Sequence, residues 1–274
     1  MQPLVSICIP AYNNAAYIKD TIDSILNQTY TNLELVIVDD KSKDNTVEVI
    51  KSIPDERIRL YENEKNLGMS GNWNHCLELC RGEFIKLICA DDMLAKDAVE
   101  KEAQALIDHP DVVMAESDTR LVDLNGKYKG WYRRYRTKGL ENGKKIARKG
   151  FFSQNYFGAP LANMFRKSVL DEVHGFDTHY YYILDYDLWV RIACLGNVYI
   201  IHEPLNFFRV RNDSNTGEVM AGDKTETYVK EHRYLVEKHA RELHMSKFEV
   251  ELSVLIRRLR NFAGSVYLKL FVHD

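Results

Sequence analysis

The strongest constraint on the fold is a rhythm of short apolar runs and amphipathic segments over the first third of the chain. Apolar runs rich in branched side chains occur at Leu4–Pro10, Leu33–Val38 and Phe84–Cys89, and segments with helical spacing of apolar positions alternate with them. Strands that alternate with helices in this way predict βαβ units. We therefore expect an α/β fold with a mixed, mainly parallel sheet flanked by helices.

Polar residues follow each of these runs. Asn13 comes shortly after the first run, Asp39 and Asp40 directly after the second, and Asp91 and Asp92 shortly after the third. Ligands of such sheets bind beyond the carboxyl ends of the strands, so we expect the carboxylates to share one rim. Paired carboxylates repel each other unless a cation or hydrogen bonds compensate, and oxygen ligands suit Mg²⁺ or Mn²⁺. Aspartate is also typical of turns and helix N-caps, and this interpretation stays open here.

Length and composition exclude several classes of protein. A chain of 274 residues suits one large α/β domain, alone or with a small appendage. The formal net charge of −3 gives no support for a nucleic-acid-binding protein, which would usually have a basic domain. The five cysteines are irregularly spaced, which favours reduced thiols in the core. No signal peptide is visible, and no apolar run approaches the roughly 18–20 residues that span a bilayer.

The remainder of the chain is less regular. Gly126–Gly150 is basic and aromatic with interspersed glycines, and we expect an exposed excursion there. A helix is expected to begin at Asp185, followed by two strands at Asn197–Ile201 and Leu205–Val210. From Thr225 onward the pattern is helical and charged. We therefore expect a main α/β domain over residues 1–220 and a helical extension over residues 221–274.

Several short motifs stand in order along the chain. They are Val5-Ser6-Ile7-Cys8-Ile9-Pro10-Ala11-Tyr12-Asn13, Ile22-x-Ser24-Ile25-Leu26-x-Gln28-Thr29-Tyr30, Leu35-Val36-Ile37-Val38-Asp39-Asp40-x-Ser42-x-Asp44-x-Thr46, Asn66-x-Gly68, Ala90-Asp91-Asp92, Gly175-Phe176-Asp177 and Asp185-x-Asp187-Leu188-Trp189-x-Arg191. Together they resemble the motifs of the family 2 glycosyltransferases, over about Pro3 to Asn215. The resemblance implies a GT-A fold and transfer of a sugar from a nucleotide-sugar to an acceptor hydroxyl, with inversion at the anomeric carbon.

The resemblance also implies roles for the matched positions. Asp39 would bind the base of the nucleotide, and Asp91 would lie near the ribose or the metal. Asp92 would bind a Mn²⁺ or Mg²⁺ ion that bridges the diphosphate, and Asp185 would be the catalytic base. The other residues expected to contact the donor are Pro10, Ala11, Tyr12, Asn13, Asp40, Asn66, Gly68, Arg209 and Arg211, of which the two arginines belong to a basic loop that closes over the diphosphate.

We expect a UDP-sugar donor, and an acceptor that is a growing surface polysaccharide or a lipid-linked oligosaccharide of a bacterial cell envelope. Two alternatives stay open. A nucleotide-sugar pyrophosphorylase would need a glycine-rich, basic loop after the first strand, and Pro10-Ala11-Tyr12-Asn13 is not such a loop. A catalytically silent sugar-binding or scaffold protein would not need Asp39, Asp92 and Asp185, which are all present.

The C-terminal segment permits two arrangements. Arg257, Arg258 and Arg260 stand beside Leu255 and Leu259, as in a basic amphipathic helix. Such a helix either packs on the main domain or lies on an anionic membrane surface. We therefore expect a cytoplasmic protein, free or peripheral at the inner face of the cell membrane. The sequence leaves the oligomeric state open, with a homodimer among the alternatives.

Overall fold

The computed structural model describes residues 2–133, 135–211 and 224–271. Its strands are β1 Val5–Ala11, β2 Leu33–Asp39, β3 Ile58–Glu62, β4 Phe84–Leu87, β5 Met93–Leu94, β6 Val112–Val122, β7 Tyr128–Tyr132, β8 Gly139–Asn142, β9 Asn163–Arg166 and β10 Asn197–Arg209. Its α-helices are α1 Ile18–Leu26, α2 Thr46–Lys51, α3 Gly68–Leu79, α4 Ala98–Asp108, α5 Gly143–Phe151, α6 Lys167–Val173, α7 Leu184–Cys194, α8 Thr225–His239 and α9 Lys247–Phe271.

The sheet has the strand order β3-β2-β1-β4-β9-β6-β10-β5, with β7 beside β6 and β8 beside β10. Strands β1 to β4 are parallel, β9 is antiparallel to both β4 and β6, and β10 is parallel to β6. Because β9 reverses direction between them, β4 and β6 run the same way. The carboxyl ends of β2, β1, β4, β6 and β10 therefore lie along one edge, and the expected α/β fold is confirmed.

Helices cover both faces of this sheet. On one face, α1 and α4 contribute Ile22 and Leu106 to a buried apolar cluster. On the other face, α3, α5 and α7 contribute Cys76, Ile146 and Trp189 to a second cluster. β1 and β2 are buried along their whole lengths, as is usual for parallel strands that are covered on both sides. This double layer of packing fixes the strand ends and so fixes the residues that follow them.

Most of the described side chains from 126 to 140 are exposed, as expected, but the segment Gly126–Gly150 also contains regular structure that we did not predict. It contains β7, which pairs antiparallel with β6, and β8, which pairs antiparallel with β10. It also contains α5, which buries Ile146 and Phe151 completely. The prediction missed α5 because its charged side chains dominate the composition, although its apolar stripe has helical spacing.

The two strands expected at Asn197–Ile201 and Leu205–Val210 are one strand, β10. Its register against β6 shifts between Ile201 and Pro204, so the strand contains a bulge at this point. Proline lacks the N–H that a regular ladder requires, and this explains both the irregularity and the division expected from the sequence.

The C-terminal helices pack on the rest of the protein. His232 of α8 lies 3.0 Å from the Ser253 hydroxyl of α9, which donates to the Phe151 carbonyl of α5 at 2.9 Å. The opposite side of α9 exposes Leu255 and Leu259. The predicted boundary at residue 220 falls outside the described residues. None of the helices in the described ranges is long and apolar enough to cross a membrane.

Candidate active site

The loop after β1 is fixed to the loop after β2. Asn13 has a left-handed backbone conformation, with a φ of 53°, and its N–H donates to the Ser42 hydroxyl oxygen at 2.9 Å. The side-chain oxygen of Asn13 accepts from the N–H of Lys43 at 2.8 Å. Because of this turn, α1 begins only at Ile18. Asn13 therefore helps to build the rim, and its donor contact stays a prediction.

Asp39 ends β2 and pairs with Ala11 at the end of β1. The Asp39 carboxylate accepts hydrogen bonds from the N–H and the hydroxyl of Ser42, which fix its orientation. Pro10 and Ala11 are buried, whereas Tyr12 is 42% exposed. Tyr12 directly follows Ala11, the residue that pairs with Asp39, and an exposed aromatic ring and a fixed carboxylate suit a planar, hydrogen-bonding base, so these residues stay the predicted base-binding set.

Asp40 closes the loop that leads into α3. One carboxylate oxygen accepts from the N–H of Leu67 at 2.7 Å, and the other accepts from the N–H of Gly68 at 3.0 Å. The Asn66 amide donates to the Asp40 carbonyl at 3.0 Å, and Gly68 has a φ of 74°, which favours glycine. Both oxygens of Asp40 are thus engaged at a helix N-terminus. These hydrogen bonds give Asp40, Asn66 and Gly68 a role in building this loop, and their donor contacts stay predictions.

Asp92 lies in the loop between β4 and β5 and is 1% exposed. One carboxylate oxygen accepts from the backbone N–H of Arg209 at 2.9 Å. The other, Oδ2, is buried, and none of the described residues donates a hydrogen bond to it. Burial, followed by the negative charge of Asp91, raises the pKa of Asp92 well above its ordinary value.

This environment fits the predicted metal ion. A buried carboxylate oxygen without a hydrogen-bond donor is costly, and a cation bound at that oxygen would remove the cost. Mg²⁺ and Mn²⁺ commonly use one or two protein carboxylates together with substrate phosphates. Asp92 is therefore the residue that would hold a divalent ion, with Asp91 beside it.

Asp91 forms an ion pair with Arg211, with 3.1 Å between Oδ2 and Nη1. Burial raises the pKa of Asp91, and the positive charge of Arg211 opposes that effect. The guanidinium of Arg211 also lies over the Tyr17 ring of α1, 4.8 Å from its centroid. Arg211 is thus on the rim beside the predicted metal site, within the region where a diphosphate is expected.

Arg209 differs from Arg211 because its guanidinium is enclosed. Its Nε donates to the Asp91 carbonyl at 2.8 Å, and its Nη1 donates to the Leu124 carbonyl at 2.9 Å. Its Nη2 pairs with Asp20 at 3.1 Å. These bonds engage the guanidinium on three sides, so Arg209 holds the loop that carries Asp91 and Asp92, and its donor contact stays a prediction.

Asp185 lies in the first turn of α7. Its relation to the other carboxylates follows from the thiol of Cys89, whose pKa is raised first by burial and then by three negative charges. These are the charges of Asp92, Asp91 and Asp185. Because Coulomb interactions weaken with distance and solvent screening, all three carboxylates lie within electrostatic range of this thiol. Asp39 belongs to a strand two positions from β4, roughly 10 Å away across the sheet.

Glu231 of α8 is a further residue of this region that the sequence does not reveal. Its carboxylate accepts hydrogen bonds from the N–H groups of Tyr181 at 3.0 Å, Tyr182 at 2.9 Å and Ile183 at 3.1 Å. Ile183 directly precedes α7, so Glu231 fixes the segment that leads to Asp185. In the sequence, Glu231 is one acidic residue among many in a charged helix, and no local signal distinguishes it.

Another group of potential metal ligands lies apart from the rim. Side-chain ligand atoms of Cys194, His239 and Glu242 lie within 4.8 Å of one another. Lys144 lies 3.3 Å from the Glu242 carboxylate and already places a positive charge there. We therefore interpret this group as an ion-paired cluster between α7 and the C-terminal helices.

Sequence comparison gives one family and several relatives. The model of the family described as "Glycosyl transferase family 2" matches residues 6–173. An uncharacterized protein of Mycobacterium tuberculosis is 32% identical over 228 residues, which cover 80% of this chain and 71% of that protein. The GalNAc(5)-diNAcBac-PP-undecaprenol beta-1,3-glucosyltransferase of Campylobacter jejuni is 28% identical over 78% of this chain and 67% of that enzyme.

Solved structures resemble the chain in fold. TarS 1–349 of S. aureus, in complex with UDP-GlcNAc, matches with a TM-score of 0.75 at 17% identity, over 98% of this chain and 76% of that one. The mannosyltransferase PcManGT from Pyrobaculum calidifontis, in complex with GDP-Man and Mn²⁺, matches with a TM-score of 0.61 at 19% identity, over 99% of this chain and 81% of that one. At these identities the likeness concerns the fold alone.

Proposed function

This chain belongs to glycosyltransferase family 2, and we propose that it is an inverting, metal-dependent enzyme that uses a UDP-sugar donor. The observation that carries the proposal is the buried Asp92 carboxylate, which the N–H of Arg209 holds beside Asp91 and its partner Arg211, with Asp185 within electrostatic range of the same loop. It lies at the edge where the parallel strands end, which is where such sheets bind ligands. Oδ2 of Asp92, which is buried and has no hydrogen-bond donor among the described residues, supports the metal requirement.

The nucleotide binds beside the ends of β1 and β2. Asp39 accepts a hydrogen bond from the base, and Tyr12 stacks on it, with Pro10 and Ala11 forming the wall behind them. Arg211 exchanges its ion pair with Asp91 for contacts with the diphosphate. Arginine suits this role because its planar fork can make two parallel hydrogen bonds to phosphate oxygens.

The reaction needs one base and one stabilised leaving group. Asp185 accepts the proton of the acceptor hydroxyl while the hydroxyl oxygen forms a bond to the anomeric carbon. The bond between that carbon and the diphosphate breaks on the opposite face, and its electron pair leaves with the diphosphate. Asp92 would hold a divalent ion, which would supply Lewis-acid stabilisation of the charge on the diphosphate. A positioned base contributes on the order of 10²–10⁴-fold to such a rate.

The acceptor that we propose is a lipid-linked oligosaccharide or a growing polysaccharide. One relative, from Campylobacter jejuni, is named for a glycan on undecaprenyl diphosphate. The exposed apolar side chains of α9, Phe248, Leu255 and Leu259, would suit contact with a membrane surface or with a second copy of the chain. We keep the division into a catalytic domain over 1–220 and an extension over 221–274 as part of the proposal.

Thermal unfolding with nucleotide-sugars tests the donor site. We expect UDP-sugars, more than GDP-Man or dTDP-Glc, to raise the melting temperature, and Mn²⁺ to increase the effect. A ligand at one hundred times its dissociation constant stabilises the folded state by about 2.7 kcal/mol. No shift with any nucleotide-sugar at millimolar concentration, with or without Mn²⁺, would overturn the proposal.

The Asp185→Asn variant tests the base. We expect it to keep the melting shift with donor and Mn²⁺ but to lose sugar transfer. Asp171→Asn is the matched control, because Asp171 is an exposed aspartate on α6, and this variant should keep both properties. Loss of donor binding and transfer together in Asp185→Asn would assign Asp185 to the structure of the site instead.

A further inference from the structure

A cavity beside the rim has no part in the proposed mechanism. Its volume is about 570 Å³. It is lined by Arg120, Tyr128, Trp131, Arg133, His202 and Pro204. These residues belong to β6, to β7 and the residue that follows it, and to the bulged part of β10. These strands extend past the end of β4, the strand that precedes Asp91 and Asp92. The cavity therefore lies on this extension of the sheet.

The cavity is on the same face of the sheet as α7. Met114 of β6 belongs to the buried cluster that contains Trp189 of α7. β6 pairs with β10 at every position from Met114 to Arg120, so its side chains alternate regularly between the two faces. Arg120 is an even number of residues from Met114 and shares its face. Trp189 is one helical turn from Asp185, so the cavity opens on the side of the proposed base.

The strand register gives the distance between the cavity and the metal side of the rim. Met93, the residue after Asp92, pairs with Phe207 on β10, and Phe207 pairs with Arg120 on β6. Arg120 pairs in turn with Trp131 on β7. Neighbouring strands are about 4.8 Å apart, so Trp131 lies roughly 14 Å from Met93 across the sheet. An oligosaccharide that reaches the donor can also reach this cavity.

The charges in the cavity are unbalanced. Arg133 donates to the Asp118 carboxylate at 3.2 Å and lies over the Trp131 ring, 4.8 Å from its centroid. Arg120 lies over the Phe207 ring at 5.7 Å, and within the described part of the chain its guanidinium has no carboxylate partner. Two arginines thus line the cavity, and among the described residues Asp118 is the carboxylate that pairs with one of them. Arg120 is the cation that is available to a ligand.

Two aromatic rings border this cation. Tyr128 is 58% exposed and Trp131 is 46% exposed, and both share the face of Arg120 because they pair with Val122 and Arg120 on β6. Exposed aromatic rings beside a few polar groups in a concave surface are typical of a ligand site. Arginine binds carboxylates and phosphates through the same two-pronged geometry.

We propose that this cavity binds an anionic group, a carboxylate or a phosphate, of the acceptor glycan. Arg120 holds the charge, and a sugar ring lies against Trp131. This inference rests on the proposed function, because it assigns the substrate class of the acceptor side. It predicts that the enzyme prefers acidic acceptors to neutral ones of the same length.

Calorimetric titration with three probes tests the preference. The first is a tetrasaccharide of alternating glucuronic acid and N-acetylglucosamine, the second is the same tetrasaccharide with its carboxylates reduced to alcohols, and the third is a glycerol phosphate trimer. We expect one of the two anionic probes to bind at least about tenfold more tightly than the reduced tetrasaccharide. Which of the two binds more tightly tells whether the cavity prefers a carboxylate or a phosphate. Equal affinity for all three, or binding of none at millimolar concentration, overturns the inference.

A matched pair of variants links the preference to Arg120. Arg120→Gln should weaken binding of the preferred anionic probe roughly tenfold or more. Lys129→Gln removes an equal charge from β7, but Lys129 does not line the cavity and pairs with Asp123, so affinity should stay within about twofold. Equal losses in both variants would show a diffuse charge effect and overturn the inference.

Donor binding in the same samples separates this inference from the proposed function. Arg120→Gln should keep the melting shift with UDP-sugar and Mn²⁺, which also shows that it folds. If wild-type protein shows no nucleotide-sugar shift but an Arg120-dependent preference for an anionic probe, the proposed function falls and the cavity stands as a glycan site. If the nucleotide-sugar shift is present and the preference absent, only the inference falls.

Discussion

The backbone N–H of Arg209 donates a hydrogen bond to one oxygen of Asp92 at 2.9 Å, and this contact joins the end of β10 to the loop after β4. It leaves Oδ2 of Asp92 buried and, among the described residues, without a donor. The structure therefore keeps a desolvated carboxylate where a neutral side chain would cost less. Such a cost is expected where a function requires the charge.

Asp92→Asn should separate stability from function. Asparagine keeps the acceptor for Arg209 and removes the buried charge, so we expect the melting temperature without metal to be equal or higher. The additional melting shift that Mn²⁺ gives with donor should disappear, and transfer should fall by roughly 100-fold or more. Asp108→Asn, at an exposed position on α4, should change neither property. A Mn²⁺-dependent shift that persists in Asp92→Asn would place the metal elsewhere.

Glu231→Ala should slow transfer without weakening donor binding. The variant removes the acceptor for the N–H groups of Tyr181, Tyr182 and Ile183, and thereby releases the segment before α7. A displaced base is costly, and we expect kcat to fall roughly 10- to 100-fold while KM for the donor changes little.

Two controls accompany this measurement. Glu231→Gln keeps one acceptor oxygen and should recover part of the rate. Glu237→Ala removes an exposed carboxylate from the same helix, where it pairs with Arg233, and should leave kcat unchanged. If Glu231→Ala lowers kcat no more than Glu237→Ala, the base does not depend on Glu231.

The pair Lys86–Glu102 should dominate the stability of the sheet centre. Both side chains are completely buried, with 2.7 Å between Nζ and Oε2. Burial lowers the pKa of Lys86 and raises that of Glu102, and each charge opposes the shift of its partner. Lys86→Met leaves Glu102 buried without its cation, and we expect a loss of about 3–5 kcal/mol in the free energy of unfolding by urea titration.

The double variant Lys86→Met with Glu102→Met tests this explanation. It removes both charges, so it should lose less stability than the sum of the losses in the two single variants. We expect the difference to be about 0.5–3 kcal/mol. The Ser117 hydroxyl, which donates to Glu102, would still lose its acceptor, so full recovery is not expected. Additive losses would mean that the two charges do not stabilise each other.

The sequence predicts the part of the site that depends on regular structure. Asp39, Asp91 and Asp92 follow apolar runs, and the rule that ligands bind beyond strand ends locates them at one edge. Asp185 was predicted through the resemblance to a family. The hydrogen bonds that Asp40 and Arg209 make to backbone atoms of other loops could not be predicted in this way. A motif residue that shapes a loop and one that binds a ligand look the same in sequence.

Long-range packing was the second limit. The apolar stripe of α5 is hidden among lysines, and Pro204 suggests a strand break where β10 has a bulge. Glu231 contacts residues about fifty positions earlier in the chain, and only the folded arrangement of α8 against the start of α7 brings them together. Periodicity carries information about neighbours within an element, whereas these contacts join separate elements.

Acid should destabilise the docking of the C-terminal helices through His232. Burial, with the nearby charge of Arg257, lowers the pKa of His232 to about 3, against about 6.5 in an unfolded chain. Ser253 donates its hydroxyl hydrogen to the Phe151 carbonyl, so the neutral ring of His232 donates from Nε2 to the Ser253 oxygen. Between these two pKa values the unfolded state binds the additional proton. The free energy of unfolding should therefore fall as the pH drops from about 6.5 towards 3, by at most about 1.4 kcal/mol per pH unit from this residue.

His232→Asn isolates this contribution. The asparagine amide can still donate to Ser253 but does not titrate, so urea unfolding between pH 7.5 and 4.5 should show a shallower loss of stability than in the wild type. His174→Asn is the control, because His174 is exposed and has a left-handed backbone that asparagine tolerates, and its pH dependence should match the wild type. If His232 must stay neutral in the folded state, its removal has to flatten the dependence of the free energy of unfolding on pH. The same pH dependence in His232→Asn and the wild type would therefore mean that His232 does not couple protonation to folding.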